Sequence, residues 1–372
     1  MEKTYKLFVS TFNCGKCLNF EQASDIDSIL SHIVPRDHVH DVYALGFQEL
    51  VSLWQGSFPD EVQEKLQGLS NRVLDLINSL SPRRNFKLVG LNSVGAIGLL
   101  VFADTTLEVT SVLKASAKCG ILCSSLKGAT AIKFNLSRPS LSVTDSFIFV
   151  AAHLAANEGE LQRQRREGDY NNIATTLQQE LGCFEGNHVL FCGDFNFRSR
   201  KWASSPADFN NLELLQAAVG VHDELSLSRK AQRAFQNFEE APITFAPTYK
   251  FKLSVPEPEY NPRRIPSWCD RILFQNYGSP VKILSYTACK RDAVLQFTDH
   301  LPVVLQVEVP HLAPQPPARF KTISSQSWSY KLLGNATDFF IGYGGWAYVF
   351  YGHWLRALSL VLGLLVLYHL FT

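Results

Sequence analysis

The chain has 372 residues, 46% of them apolar, with 35 basic and 34 acidic side chains and a formal net charge of +1. That length admits one large domain with a sizeable core, and the charge balance excludes a dedicated nucleic-acid binder, which carries a strong basic excess. One C-x-x-C, Cys14 to Cys17, has no second pair to complete a zinc site, so the cysteines read as free thiols of a reducing compartment.

In chain order, Tyr5–Asn13 reads as a strand, Asp25–Ile33 as a helix, Asp41–Phe47 as a strand and Asp60–Leu80 as an amphipathic helix. Phe86–Val89, Ile97–Phe102, Ala129–Asn135 and Phe147–His153 read as strands. Asp169–Leu181 reads as a helix, and His188–Gly193, Arg271–Phe274 and Val303–Val309 as further strands. Many strands with a few helices predict a layered α/β sandwich. Val309–Phe320 is rich in proline and reads as the start of a linker. The predicted plan is a catalytic domain at 1–309, a linker at 310–338 and a membrane anchor at 339–372.

The anchor is predicted from composition. ALSLVLGLLVLYHLFT, starting at Ala357, is free of acidic and basic groups other than His369. It would make a helix of about 24 Å, short of a hydrocarbon core of about 30 Å, and His353 to Arg356 extend it. The preceding FFIGYGGWAYVFYGHW carries the Trp, Tyr and Gly of an interfacial segment. Arg319, Lys321 and Lys331 flank it, which places the large N-terminal part on the cytosolic side. A short, Leu-rich span suits the thinner endoplasmic reticulum bilayer.

Five predicted strands end in polar groups: Asn13, Glu49, His153, Asp194 with Asn196, and Asp299 with His300. A sheet holds such groups rigidly at one rim. The set suits hydrolysis of a phosphate ester. Glu49 and Asn13 offer oxygen donors to Mg²⁺, which takes only one or two carboxylates from protein. Asp194 can activate water, and Asn196, His153 and His300 can donate to phosphoryl oxygens. A donating histidine needs an acceptor on its other nitrogen, and Asp270 in WCDRIL is the candidate. Lys250, Arg263 and Arg264 form a basic cluster suited to a second phosphate.

The segments TFNCGK, GFQE, LKGATAIKF, AAHLAA, REGDYNNI, CGDFNFR, ITFAPTYKF, RIPSWCDRIL and FTDHLPV, in this order, resemble the inositol polyphosphate 5-phosphatases of the endonuclease/exonuclease/phosphatase superfamily. The resemblance implies a DNase I-like, four-layer α/β sandwich of two mostly antiparallel sheets, here followed by the C-terminal transmembrane helix. It also implies roles. Asp194 matches the group that activates water, with Asn196, His153 and His300 on the phosphate and Asp270 orienting His300. Glu49 and Asn13 match metal positions, and Asp299 a metal ligand or its support. Tyr249, Lys250 and Arg264 match the grip on the phosphate beside the scissile one, and Arg198 and Asp169 support the rim. The expected reaction is Mg²⁺-dependent removal of the 5-phosphate from phosphatidylinositol 4,5-bisphosphate by a monomer at a cytosol-facing membrane. A sphingomyelin phosphodiesterase or another phosphoesterase of the same superfamily is the alternative. The cationic headgroup of sphingomyelin would prefer aromatic walls to the arginines found here.

Overall fold

The computed structural model describes residues 4–311 and 328–371, except 17, 19, 21, 37, 81, 140–142, 204 and 279, and without the side chains at 23, 206, 207 and 353–371. Its strands are β1 (Thr4–Asn13), β2 (Val42–Gln48), β3 (Phe86–Val94), β4 (Ile97–Asp104), β5 (Glu108–Lys118), β6 (Gly128–Arg138), β7 (Val143–His153), β8 (His188–Asp194), β9 (Phe238–Glu239), β10 (Asp270–Gln275), β11 (Lys282–Ala288) and β12 (Val303–Pro310). Its helices are α1 (Ala23–Ile33), α2 (Pro59–Ser79), α3 (Glu160–Leu181), α4 (Leu212–His222), α5 (Glu224–Lys230) and α6 (Trp328–Phe371).

Two six-stranded sheets form, ordered β11-β12-β1-β2-β4-β3 and β5-β6-β7-β8-β10-β9. Only the β1–β2 and β7–β8 pairings are parallel among those between described strands. Central strands are apolar throughout because both their faces are covered: β2, β4 and β8 are buried along their whole length. The two-residue alternation of side chains sorts them into layers. On β1, Leu7 and Val9 enter the core between the sheets, with Val101, Phe149 and Leu305. Phe8 and Phe12 point the other way, onto α1 and α2. On the far side of the second sheet, Tyr170, Ile173 and Leu177 of α3 cover Ile148, Val150 and Phe191. Helices, sheet, sheet and helix make the four expected layers.

α2 starts with Pro59 at its first turn and Asp60 and Glu61 beside the helix N-terminus, where a negative charge is favoured. Its buried Val62, Leu66, Leu69, Val73 and Ile77 recur at helical spacing and bind it to the first sheet.

The C-terminal region departs from expectation. α6 is one helix of 44 residues, and it begins at Trp328, inside the segment read as linker. Residues 312–327, the proline-rich part, lie outside the described residues. Among the described residues, no helix is long and apolar enough to cross a membrane. The side chains from Ala357 onward, on which the transmembrane expectation rested, also lie outside the described set. The first half of α6 is broken up by Lys331, Asp338 and several glycines, and it leans on the domain.

Candidate active site

Strand register assembles the site. β8 pairs in parallel with β7, which sets His153 opposite Asp194, and antiparallel with β10, which sets Asp270 opposite Asp194. β6 adds Gly128 opposite His153. One line across four strands therefore carries Gly128, His153, Asp194 and Asp270. In the other sheet, Asn13 lies opposite Gln48, with Glu49 next in the chain. The sheets meet at this end: Asn13 Nδ2 donates to Asp194 Oδ2 at 2.9 Å.

Past Asp194 the chain turns at once. The Phe195 N–H donates to the Cys269 carbonyl at 2.8 Å, and its ring joins the core under α3. Asn196 takes a positive φ of 57°, a conformation Asn tolerates, and its N–H donates to Asp194 Oδ1 at 2.9 Å. Its Nδ2 donates to the Leu154 carbonyl at 3.2 Å, and its Oδ1 accepts from Arg198 Nη2 at 2.5 Å. Asp194 and Asn196 therefore do not continue as an extended segment. Asn196 is instead locked in a turn that fixes the Asp194 carboxylate.

Asp194 is buried and ringed by donors. His153 Nε2 lies 3.2 Å and His300 Nε2 3.8 Å from its Oδ2. Burial opposes its ionisation, but His300, His153 and Lys127 outweigh that and hold its pKa well below the usual carboxylate range. His300 Nδ1 is 2.9 Å from Asp270 Oδ2. Burial would neutralise this imidazole, yet Asp270 and Asp194 raise its pKa to about 9, so it is a cation at neutral pH. Thr248 Oγ1 donates to the same Asp270 oxygen at 2.7 Å. His153 goes the other way: burial and the neighbouring Lys127 ammonium lower its pKa.

Asp194, Asp270 and His300 are the one group of three His, Cys, Asp or Glu among the described residues whose ligand atoms come within 4.8 Å of each other. His300 Nδ1 and Thr248 Oγ1 both engage the same Asp270 oxygen, so the trio forms a hydrogen-bonded charge network. The donors that fit a hard cation are at the ends of β1 and β2. Burial disfavours the Glu49 charge, but His153, Lys127 and Lys16 stabilise it and lower its pKa. The Asn13 Oδ1 accepts one bond, from the Gly15 N–H at 3.0 Å, and has a second lone pair for a ligand. A carboxylate and an amide oxygen, with phosphate to complete the shell, match what Mg²⁺ takes from proteins.

Asp299 sits elsewhere. Its Oδ2 is 2.5 Å from Lys250 Nζ, and its Oδ1 is 3.9 Å from His300 Nε2. Tyr249 bridges to His300 through backbone pairing, its ring 4.7 Å from the imidazole. The Arg198 guanidinium lies 4.3 Å over the Tyr249 ring, and its Nε and Nη1 are buried without a partner. Arg264 is at the rim, 3.8 Å from Glu158, and with Arg263, Lys201, Trp202 and Tyr260 it borders a cleft of 350 Å³. Asp169 accepts from the Ala155 N–H at 3.1 Å and so braces the segment after His153.

Lys127 is the group that residue-by-residue reading passed over. Its Nζ contacts His153 Nε2, and its charge reaches both Asp194 and Glu49. The signal was its position in LKG, directly before the strand that carries Gly128 into the line. Lys16, 3.2 Å from Glu49, and Thr248 were passed over too, although they lie in the segments TFNCGK and ITFAPTYKF.

The model of "Endonuclease/Exonuclease/phosphatase family 2" matches residues 10–306. The phosphatidylinositol 4,5-bisphosphate 5-phosphatase of Saccharomyces cerevisiae is 28% identical over 81% of this chain and 31% of its own length. The type IV inositol polyphosphate 5-phosphatase 9 of Arabidopsis thaliana is 26% identical over 80% of this chain and 76% of its own. This chain thus spans less than a third of the yeast relative. Among solved structures, the inositol polyphosphate 5-phosphatase domain of SpSynaptojanin, in complex with inositol (1,4)-bisphosphate and calcium ion, superposes with a TM-score of 0.66 at 24% identity, covering 92% of this chain and 93% of that one. A Cimex nitrophorin, solved as a ferrous NO complex, also superposes, with a TM-score of 0.58 at 20% identity over 83% of this chain and 100% of its own. The fold alone therefore does not choose a chemistry, and the site must. With a family match over most of its length and this line of polar strand ends, the chain belongs to the endonuclease/exonuclease/phosphatase family, among relatives named as inositol polyphosphate and phosphoinositide 5-phosphatases.

Proposed function

We propose that the chain is a Mg²⁺-dependent phosphoinositide 5-phosphatase that converts phosphatidylinositol 4,5-bisphosphate to phosphatidylinositol 4-phosphate. It would work as a monomer on the cytosolic face of the endoplasmic reticulum membrane. The observation that carries this reading is a buried, ionised Asp194 held between two histidines and Asn13, with Lys250 and Arg264 nearby in the motifs that carry the family likeness. Monoester hydrolysis is among the slowest uncatalysed reactions, so charge fixed in advance must supply much of the acceleration.

Asp194 orients a water molecule for in-line attack and receives its proton. The bonds from Asn13 and the Asn196 N–H fix the direction of its oxygens. The cationic His300, oriented by Asp270, and the Lys127 ammonium offer positive donors to the phosphoryl oxygens as charge builds there. Lys250 and Arg264 hold the neighbouring 4-phosphate, Arg in a bidentate grip and Lys as a point charge. Glu49 and Asn13 would hold the divalent cation, which when bound neutralises the scissile phosphate and eases departure of the inositol oxygen. The aromatic, uncharged sequence around Phe339–Tyr351 supports residence at a membrane surface.

The test is phosphate release from vesicles of phosphatidylinositol 4,5-bisphosphate, with and without Mg²⁺, beside sphingomyelin and abasic DNA. Metal-dependent release from the inositide alone, giving the 4-phosphate, is expected. Turnover of either other substrate instead would overturn the assignment.

A further inference from the structure

α6 is bolted to the loop that leads into Gly128 and to the turn that follows Glu49. Toward its start, Asp338 is almost fully buried. Its Oδ1 accepts from the Ser125 N–H at 2.8 Å and from Ser125 Oγ at 3.0 Å, and its Oδ2 pairs with Lys118 Nζ at 2.8 Å. Asn335 Oδ1 shares that ammonium at 2.8 Å. Ser125 is two residues before Lys127. Further along, α6 lies on the turn that follows Glu49. Tyr343 packs edge-on against Phe58 at 5.3 Å, and Phe350 against Trp54 at 6.5 Å. Three glycines let the backbones approach. A Cβ at Gly334 would lie 2.3 Å from the Cys123 carbonyl, one at Gly342 3.0 Å from Ser57, and one at Gly345 2.2 Å from Trp54. From Gly334 to Phe350 the helix covers about 24 Å, spanning from the loop before Gly128 to the turn after Glu49.

Among the described residues, the outward face of this docked helix is apolar and largely exposed. Phe340 is 74% exposed, and Phe339, Tyr348, Val349 and Tyr351 are each at least half exposed. From Phe339 to Leu355 the sequence contains no Asp, Glu, Lys or Arg, and beyond Arg356 it runs on into LSLVLGLLVL. Trp and Tyr among apolar groups, on a helical stretch from Phe339 to Leu355 that carries no acidic or basic side chain other than His353, are the composition of a lipid headgroup boundary.

We propose that residues 328–352 of α6 form a lipid-docking platform fixed to the active-site rim, so that the helix sets the orientation of the catalytic mouth toward the bilayer. This rests on the lipid-headgroup reading of the site. It goes further in assigning the orientation to the Asp338 clasp and the glycine contacts rather than to a flexible tether.

The experiment uses the full chain with phosphatidylcholine vesicles containing phosphatidylinositol 4,5-bisphosphate, and with soluble inositol 1,4,5-trisphosphate as the second substrate. Gly345→Leu and Asp338→Asn each loosen the helix. The expected result is at least a tenfold loss of vesicle turnover per bound molecule, with soluble turnover within twofold of the parent. The double substitution Phe340→Glu, Val349→Glu should remove quenching of tryptophan fluorescence by brominated phosphatidylcholine, and this readout needs no activity. Unchanged vesicle turnover in both loosened variants, or quenching that survives the double substitution, would overturn the platform. So would a dimer in sedimentation that the double substitution splits, since a second copy would then be what covers this face. If the parent turns over neither substrate yet is quenched, the proposed reaction fails and the platform stands.

Discussion

Asn13 and Asp194, 181 positions apart in sequence, are joined by a 2.9 Å hydrogen bond that links the end of β1 to the end of β8 and so ties one sheet to the other at the catalytic rim. Asn13 spends its other side-chain atom on the Gly15 N–H, which fixes the amide orientation. Asn13→Ala frees one carboxylate oxygen of Asp194 and removes a cation donor. Turnover should fall about 10–100-fold, as for other supports of reacting groups, while the far-UV circular dichroism stays that of the parent. Full activity in this variant would mean that the bond only closes the sandwich.

Asp194→Asn keeps the shape and removes the proton acceptor. The expected loss in kcat is on the order of 10³-fold or more. The same variant takes away one of the carboxylates that hold the His300 proton, so the imidazole should titrate lower by NMR. A normal rate would leave water activation to another group.

Asp270→Asn tests the orientation of His300. The parent imidazole titrates at about 9, because Asp270 and Asp194 overcome the cost of burial. With one of these charges gone, the pKa should drop toward neutrality and the alkaline limb of the pH–rate profile should move with it. An unmoved limb would show that it belongs to a different group.

Lys250→Ala should damage hydrolysis of a 4,5-bisphosphate about 10–100-fold more than that of a substrate lacking the 4-phosphate, the scale of one charged hydrogen bond. The measure is the ratio of kcat/KM values. In the free site Lys250 is paired with Asp299 at 2.5 Å, so Asp299→Asn should tighten binding of the 4-phosphate if that pair must open. Equal losses on both substrates would remove Lys250 from recognition of this group.

Stability should fall as the medium becomes alkaline. The folded His300 has a raised pKa, so its contribution is complete below the ordinary value of 6.5 and disappears as pH rises through about 9. Asp169 works in the same direction lower on the scale. Burial raises its pKa from 3.8 to about 6, so folding favours the neutral acid and loses stability between those values as pH rises. Asp169→Asn should flatten that window by about 1–3 kcal/mol, read from urea midpoints at pH 4 and pH 7. A parallel shift at both pH values would locate the effect in packing.

The central strands were readable because their apolar runs are continuous, and the polar residue that ends each run was readable for the same reason. β5 and β11 were not. They are edge strands with largely uncovered faces, and EVTSVLKASAK carries no pattern that separates it from a loop. α4 and α5 were missed among short helices whose limits are set by Asn211 and Asp223, each accepting N–H bonds at a helix start. In the site, the identity of the groups and the pairing of Asp270 with His300 could be read, but the other partners could not. Register sets Asp270 against Asp194, and no local feature of WCDRIL foretells that. Lys127 was hidden because its role depends on the β6–β7 alignment.

β1, the first strand, pairs along nearly its whole length with β12, from Thr4 opposite Pro310 to Thr11 opposite Val303. During synthesis on the ribosome, the rim that holds Asn13 must therefore wait until the segment past His300 has emerged. Pairings so distant in sequence are slow to form. A growing chain would carry Glu49, His153 and Asp194 for some time without an assembled site, and release of activity would coincide with completion of the domain.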